Sequence, residues 1–244
     1  MQTVLFKLKL LTSQLLTCFD KPPETTDLAP ITTAKRMTSV PKRQRRKEAR
    51  PAEIMAAGLK IFSERGFAAT RLEDVAEAAD ISKATIYLYF DSKADLLKAI
   101  VRQIVSPRIG ELEEIIRAYD GPTTDMLRII YARMSTIIGT AGIRPLIKLI
   151  VMEANNFPDI VKFYWDEVAS RGLANLSYLI NRGIERGEFR PCDAEATAQS
   201  VIFPILMNAL ATEVFGPMPV FAPDRFIPSH LDFILRGLAA NGEA

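Results

Sequence analysis

The span from Thr70 to Leu97 constrains this chain most, because three helix starts are packed into it. Thr70 with Glu73 three residues on is a capping-box pattern, in which each side chain can satisfy an orphan backbone N–H at the helix start. Leu72, Val75, Ala76 and Ala79 then recur at i, i+3, i+4 and i+7, giving one apolar stripe and one wet face. Asp80 and Ile81 make a corner, and Ser82 is a favourable N-cap for a second helix, SKATIYLYF. Ser92 with Asp95 opens a third helix in the same way. Two short helices around so tight a corner predict a helix-turn-helix whose second helix is presented outward.

That second helix carries the chemistry. Ile86 and Phe90, four apart, can pack inward, while Lys83, Ala84, Thr85 and Tyr87 sit at its exposed N-terminal end. In a major groove, Lys can reach guanine O6 and N7, and Ala or the Thr methyl can lie against a thymine methyl. Tyr87, Tyr89 and Lys93 offer donors where phosphates would run, the contacts that hold register.

Phe62, Gly66, Phe67, Thr70, Val75-Ala76, Ala79, Ile81-Ser82-Lys83, Thr85, Tyr87, Tyr89-Phe90, Lys93 and Leu96-Leu97 resemble, in order and spacing, the N-terminal signature of TetR-type transcriptional regulators. The resemblance implies DNA contacts at Thr70, Arg71, Lys83, Ala84, Thr85, Tyr87, Tyr89 and Lys93. It also implies a C-terminal helical domain that pairs with its copy and holds a small apolar ligand. Asp80 departs from the pattern, since the family usually has glycine at the corner. Aspartate tolerates left-handed backbone better than most residues, so the turn can survive. Its carboxylate near DNA could still weaken binding.

Composition narrows the remaining classes. Hydrophobic content of 48% and charged content of 25% fit a globular protein, and no apolar run reaches the roughly 18 residues of a membrane span. Cys18 and Cys192 make no disulfide framework, which predicts a reducing cytoplasm. His230 is the single histidine, and no Walker-type or dinucleotide-binding glycine loop is present. The expectation is therefore no metal, no cofactor and no enzyme. The net charge of +2 is unevenly spread. Lys35, Arg36, Lys42, Arg43, Arg45, Arg46, Lys47 and Arg50 against Glu48 give +7 just before the first helix, leaving −5 elsewhere. Such an arm could follow phosphates or enter a minor groove; the plainer alternative is a solubilising tail.

Taken in order, residues 1–46 predict a disordered extension ending in the basic arm, and Met37 is an alternative start. Residues 47–97 form the DNA-binding domain, with a first helix from near Pro51 to Gly66. Residues 98–244 form the ligand-binding and dimerisation domain. Pro107 breaks the helix that opens at Ser92. The segment IRPLIKLIVMEANN is apolar nearly all round, which predicts a central buried helix. A long helix then runs from Pro158 to about Ile184, another opens at the N-cap Asp193 with Pro204 inside it, and the last spans about Pro228 to Ala240. Tyr131, Met134, Met152, Phe157, Phe163, Tyr164, Trp165, Tyr178, Phe203 and Met207 are the candidates for lining a ligand cavity. Glu153 and Arg133 are charged groups that could join them, and Cys192 is either a redox sensor or inert.

The sequence thus reads as an all-α, cytoplasmic, homodimeric regulator of double-stranded DNA. The expected operator is near-palindromic, because a two-fold dimer reads two half-sites. It is read as a repressor released by a small apolar effector. The rival reading is a ligand-binding or protein-interaction module whose helix-turn-helix has lost DNA affinity.

Overall fold

The computed structural model describes residues 42–140, 142–216, 218 and 222–240; the extension over 1–41, with Cys18, Lys35, Arg36 and Met37, lies outside them. The architecture is all-α, as the periodicity predicts, and its one β feature among the described residues is an isolated bridge between Phe189 and Ala239.

Helix α1 spans Lys42–Arg65 and so begins well before Pro51. The stretch expected to be an arm is helical from Lys42 onward. Lys, Arg, Gln, Glu and Ala all favour helix, and together they outweigh one internal proline. Gly66, at φ +83, provides the left-handed residue that ends α1 and turns Phe67 into the core.

Helices α2 (Leu72–Ala78) and α3 (Lys83–Ile86) follow. The cap of α2 is shifted by one residue: the Arg71 N–H donates to Asp74 Oδ2 at 2.7 Å, and Thr70 with Glu73 does not form the box. Asp80 takes φ +52, so aspartate does adopt the left-handed corner. Ser82 caps α3 by accepting from the Thr85 N–H, as its position predicts. α3 is shorter than expected. Beyond Ile86 the chain tightens into three-residue turns, with Leu88 and Tyr89 N–H groups donating to Thr85 and Ile86 carbonyls.

Helix α4 (Lys93–Ile104) is capped by Ser92 and gives way at Val105 to α5 (Ser106–Ala118), the break that Pro107 predicts. Then come α6 (Thr123–Gly139) and α7 (Ile143–Met152). α7 is buried on one face only, since Val151 and Met152 point to solvent. Its last turn passes beyond the packed helices, which corrects the expectation of a helix buried all round. The predicted long helix is α8 (Pro158–Tyr164), a π turn (Trp165–Ala169) and α9 (Ser170–Glu185) in succession. Its end is fixed by Phe189, which folds back against Gly183; a Cβ there would stand 2.2 Å from the ring.

Asp193 caps α10 (Ala194–Phe215) through the Glu195 and Ala196 N–H groups. Among the described residues, α10 is the one helix long and apolar enough by length and composition to cross a membrane, so the expectation of no such run is corrected. The excess has a packing origin: one face buries Ala198, Val201, Ile205 and Ala209, and the opposite face carries Phe203, Met207 and Val214. Helix α11 (Pro223–Leu238) starts ahead of Pro228, with Pro223 at its first turn.

Two apolar clusters organise these helices. The first joins Phe62, Val75, Ile86 and Leu97 to Ile100, Leu146, Leu149 and Ile160, so it continues past residue 97 into α7 and α8. The second gathers Leu127, Ile130, Tyr131, Leu179, Val201 and Ile234.

Candidate nucleic-acid interface and apolar cavity

The reading end is built from the N-terminal tip of α3. Lys83 and Ala84 are exposed there, Thr85 is half-buried, and Ile86 is fully buried beneath them. The Thr85 hydroxyl lies 2.7 Å from Ser82 Oγ, which fixes its rotamer. Lys83 Nζ pairs with Glu73 Oε1 at 2.6 Å, and the Tyr87 hydroxyl donates to the same oxygen at 3.2 Å. Hydrogen bonding from Lys83 pulls the Glu73 carboxyl down to about 2, and the same contact raises the Lys83 ammonium above its ordinary value. Glu73 was not among the sequence candidates. The capping-box pattern assigns its carboxylate to the backbone, whereas the structure gives it to Lys83.

Two expected DNA contacts are occupied elsewhere. Thr70 is 1% exposed and its hydroxyl donates to the Gly66 carbonyl at 2.7 Å, so it belongs to the turn. Lys93 Nζ donates to the carbonyls of Phe67, Ala68 and Thr70 at 2.7, 2.8 and 2.9 Å and lies 4.8 Å from the Phe67 ring centroid. An ammonium has three donors, and all are used. Burial lowers the Lys93 ammonium, partly offset by the nearby Glu153 carboxylate. Arg71 and Tyr87 are exposed, and Tyr89 packs partly against the first core cluster.

The loop from Phe67 to Thr70 is gripped from a second side. Glu153, directly after α7, accepts from the Phe67 and Ala68 N–H groups, each at 3.2 Å. Phe157 closes the same corner, edge-on to Phe67 with centroids 4.7 Å apart. Glu153 therefore serves the loop, and Arg133 is exposed on α6. Neither lines the larger cavity.

That cavity, of about 150 Å³, lies between α5, α6, α7, α9 and α10. Of the ten candidates, Met134, Tyr164 and Phe203 line it. The other seven do not; Phe157 and Phe163 pack against the first core cluster. Tyr131 is a core residue whose hydroxyl meets His230 Nδ1 at 3.2 Å, and burial raises its phenol. Met152 is 65% exposed beside Glu153, Trp165 is 52% exposed, and Met207 is 62% exposed. Tyr178 is on the surface against Arg117. The actual walls are branched aliphatics, among them Ile109, Ile130, Ile137, Leu146, Leu173 and Ile202, with Arg108 and Tyr164 as polar members. Periodicity assigns such residues to packed faces; it does not show where two faces part. The π turn contributes Val168 and Ala169, re-aimed by its extra residue. Cys192 is half-buried next to the Thr197 hydroxyl. Among the described residues, no cluster of acidic, His or Cys side chains could hold a metal ion.

A family model described as bacterial regulatory proteins, tetR family, matches residues 54–100, and the AefR-like transcriptional repressor C-terminal domain matches residues 125–232. The chain belongs to the TetR family of transcriptional regulators. The chain is 27% identical over 161 residues to the uncharacterized HTH-type transcriptional regulator YfiR of Bacillus subtilis, covering 62% of this chain and 73% of YfiR. It is 45% identical over 72 residues to the regulator RutR of Escherichia coli, covering 30% of this chain and 34% of RutR. The structure of SmeT in complex with triclosan superposes with a TM-score of 0.68 at 20% identity, over 80% of this TetR-family chain and 93% of SmeT.

Proposed function

We propose that this regulator is a homodimeric repressor that reads a near-palindromic operator with the tips of two α3 helices and is released by a small apolar ligand. The observation that carries the reading is the tip of α3: Lys83, Ala84 and Thr85 stand outward on a fully buried Ile86. In this reading Lys83 and Thr85 contact base edges, with Ala84 against a thymine methyl. Arg71, Tyr87 and Tyr89 contact phosphates. Thr70 and Lys93 support the turn from within. On binding, Lys83 exchanges Glu73 for a base, so Glu73 lowers affinity and holds the lysine in place beforehand.

Self-association is supported by the apolar face on the last two helices. Phe203, Met207 and Val214 on α10 and Phe233 on α11 are exposed, and a second copy of the chain would cover them. A DNA partner places the protein in the cytoplasm.

Coupling is supported by the two helices that leave the cavity. α7 lines it with Ile143, Leu146 and Ile147 and leads to Glu153; α4 begins at Lys93 and ends beside the lining residue Val105. Both grips meet on the loop that precedes α2. A ligand that moves α7 against α4 would tilt the reading helices. Differential affinity of about 1–3 kcal/mol between two conformers is the usual scale for such coupling. The SmeT structure is a complex with triclosan, a precedent for a ligand in this fold.

The rival reading, a module without DNA affinity, draws on the Lys83–Glu73 pair, which occupies the best base-reading donor. A gel shift with DNA upstream of the protein's own reading frame separates the two. Retention at two chains per duplex supports the proposal; no retention above competitor DNA at moderate salt overturns it.

A further inference from the structure

Among the residues that line the apolar cavity, Arg108 is the sole charged side chain and Tyr164 the sole hydroxyl. Arg108 sits in the first turns of α5 and is half-buried. None of the described ion pairs or side-chain hydrogen bonds uses its guanidinium. Its neighbour at i+4 is Leu112, another lining residue, and Glu113 on the same helix is taken by Arg117 and Arg171. Tyr164, the last residue of α8, has a phenol that burial pushes up, so it stays protonated and can donate. The remaining walls are Ile, Leu, Val, Met, Phe, Ala and Gly.

A guanidinium at the edge of an apolar space is satisfied either by water or by an anion, and its planar fork matches a carboxylate. A neutral hydrophobic ligand would leave both polar groups to water alone. We infer that the cavity takes a medium-chain aliphatic carboxylate, its head group on Arg108 with Tyr164 as second donor and its chain among the isoleucines and leucines. This rests on the cavity being the effector site, and it names the chemical class of the effector.

The test is calorimetric titration of the full-length protein with sodium decanoate and, separately, with 1-decanol. Decanoate is expected to bind about tenfold more tightly than decanol, a charge-assisted hydrogen bond being of that size. Arg108→Gln should remove that advantage while leaving decanol binding unchanged, and Arg108→Lys should keep part of it. Tyr164→Phe should weaken decanoate binding by less than Arg108→Gln does. Each methylene removed from the acid should weaken binding about fourfold. Equal binding of the two ligands, or an unchanged decanoate affinity in Arg108→Gln, overturns the inference. Operator release by a neutral apolar compound, with no carboxylate bound, overturns it too and leaves the repressor reading standing. Decanoate bound through Arg108 without effect on operator binding supports this site and counts against the effector role.

Discussion

The module from α1 to α4 and the bundle from α5 to α11 solve the same packing problem to different degrees. In the first, the corner residues are all engaged: Thr70 on Gly66, Lys93 on three carbonyls, Ser82 and Ser92 on their helix starts, with Phe62, Phe67 and Ile86 closed beneath. The second leaves a cavity between five helices and an apolar face open on α10. A close-packed unit holds one geometry, whereas one with spare volume and uncovered surface can adopt more than one. The proposed repressor draws on both: a rigid probe, and a chamber whose filling would change the angle at which the probe is held.

The largest expected contrast is in core truncation. Phe62→Ala should destabilise the protein by about 3–5 kcal/mol, whereas Met134→Ala, already facing empty volume, should cost about 2 kcal/mol or less. Urea denaturation of the two variants measures this, and equal losses would break the contrast. Next is the open face. Phe233→Glu should weaken self-association by about 2 kcal/mol or more, read as a shift towards the single-chain mass in sedimentation while helical content is kept. Then comes the loop grip: Lys93→Met should lower stability by about 1.5–3 kcal/mol and weaken binding to all DNA sequences alike. Glu73→Gln should have the smallest effect, a slight loss of stability above pH 4.5 that vanishes in acid. The folded carboxyl lies near 2, below its ordinary 4.5, so its stabilisation is complete above pH 4.5 and is lost as the pH falls towards 2. The variant should lack that part of the acid transition, and an identical acid profile would show that the exposed pair contributes nothing.

The same contrast explains what could be read in the sequence. Caps and corners are local, so Ser82, Asp80, Ser92 and Asp193 could be placed from a few neighbouring residues. Even there the α2 cap moved by one residue, because Asp74 competes with Glu73 for the same role and only the ion pair to Lys83 decides between them. The roles of Lys93 and Glu153 depend on carbonyls and amides far away in sequence, and no spacing rule signals them. The cavity was the least legible part. Aromatic and Met side chains suggest a pocket by their type, yet Trp165 and Met207 face outward, while ordinary Ile and Leu residues form the walls because five helices diverge around them.

The central proposal is a probe, anchored by the buried Ile86 and tipped by the exposed Lys83, that each of two subunits would set against the base edges of duplex DNA. Selection of bound sites from random duplexes, run in parallel on the native protein and on Lys83→Ala, tests it most directly. The native protein should return a near-palindrome, and the variant should lose about 1–3 kcal/mol of discrimination at one position in each half-site. An identical preferred site for both proteins, or no enriched site for the native one, would contradict the account.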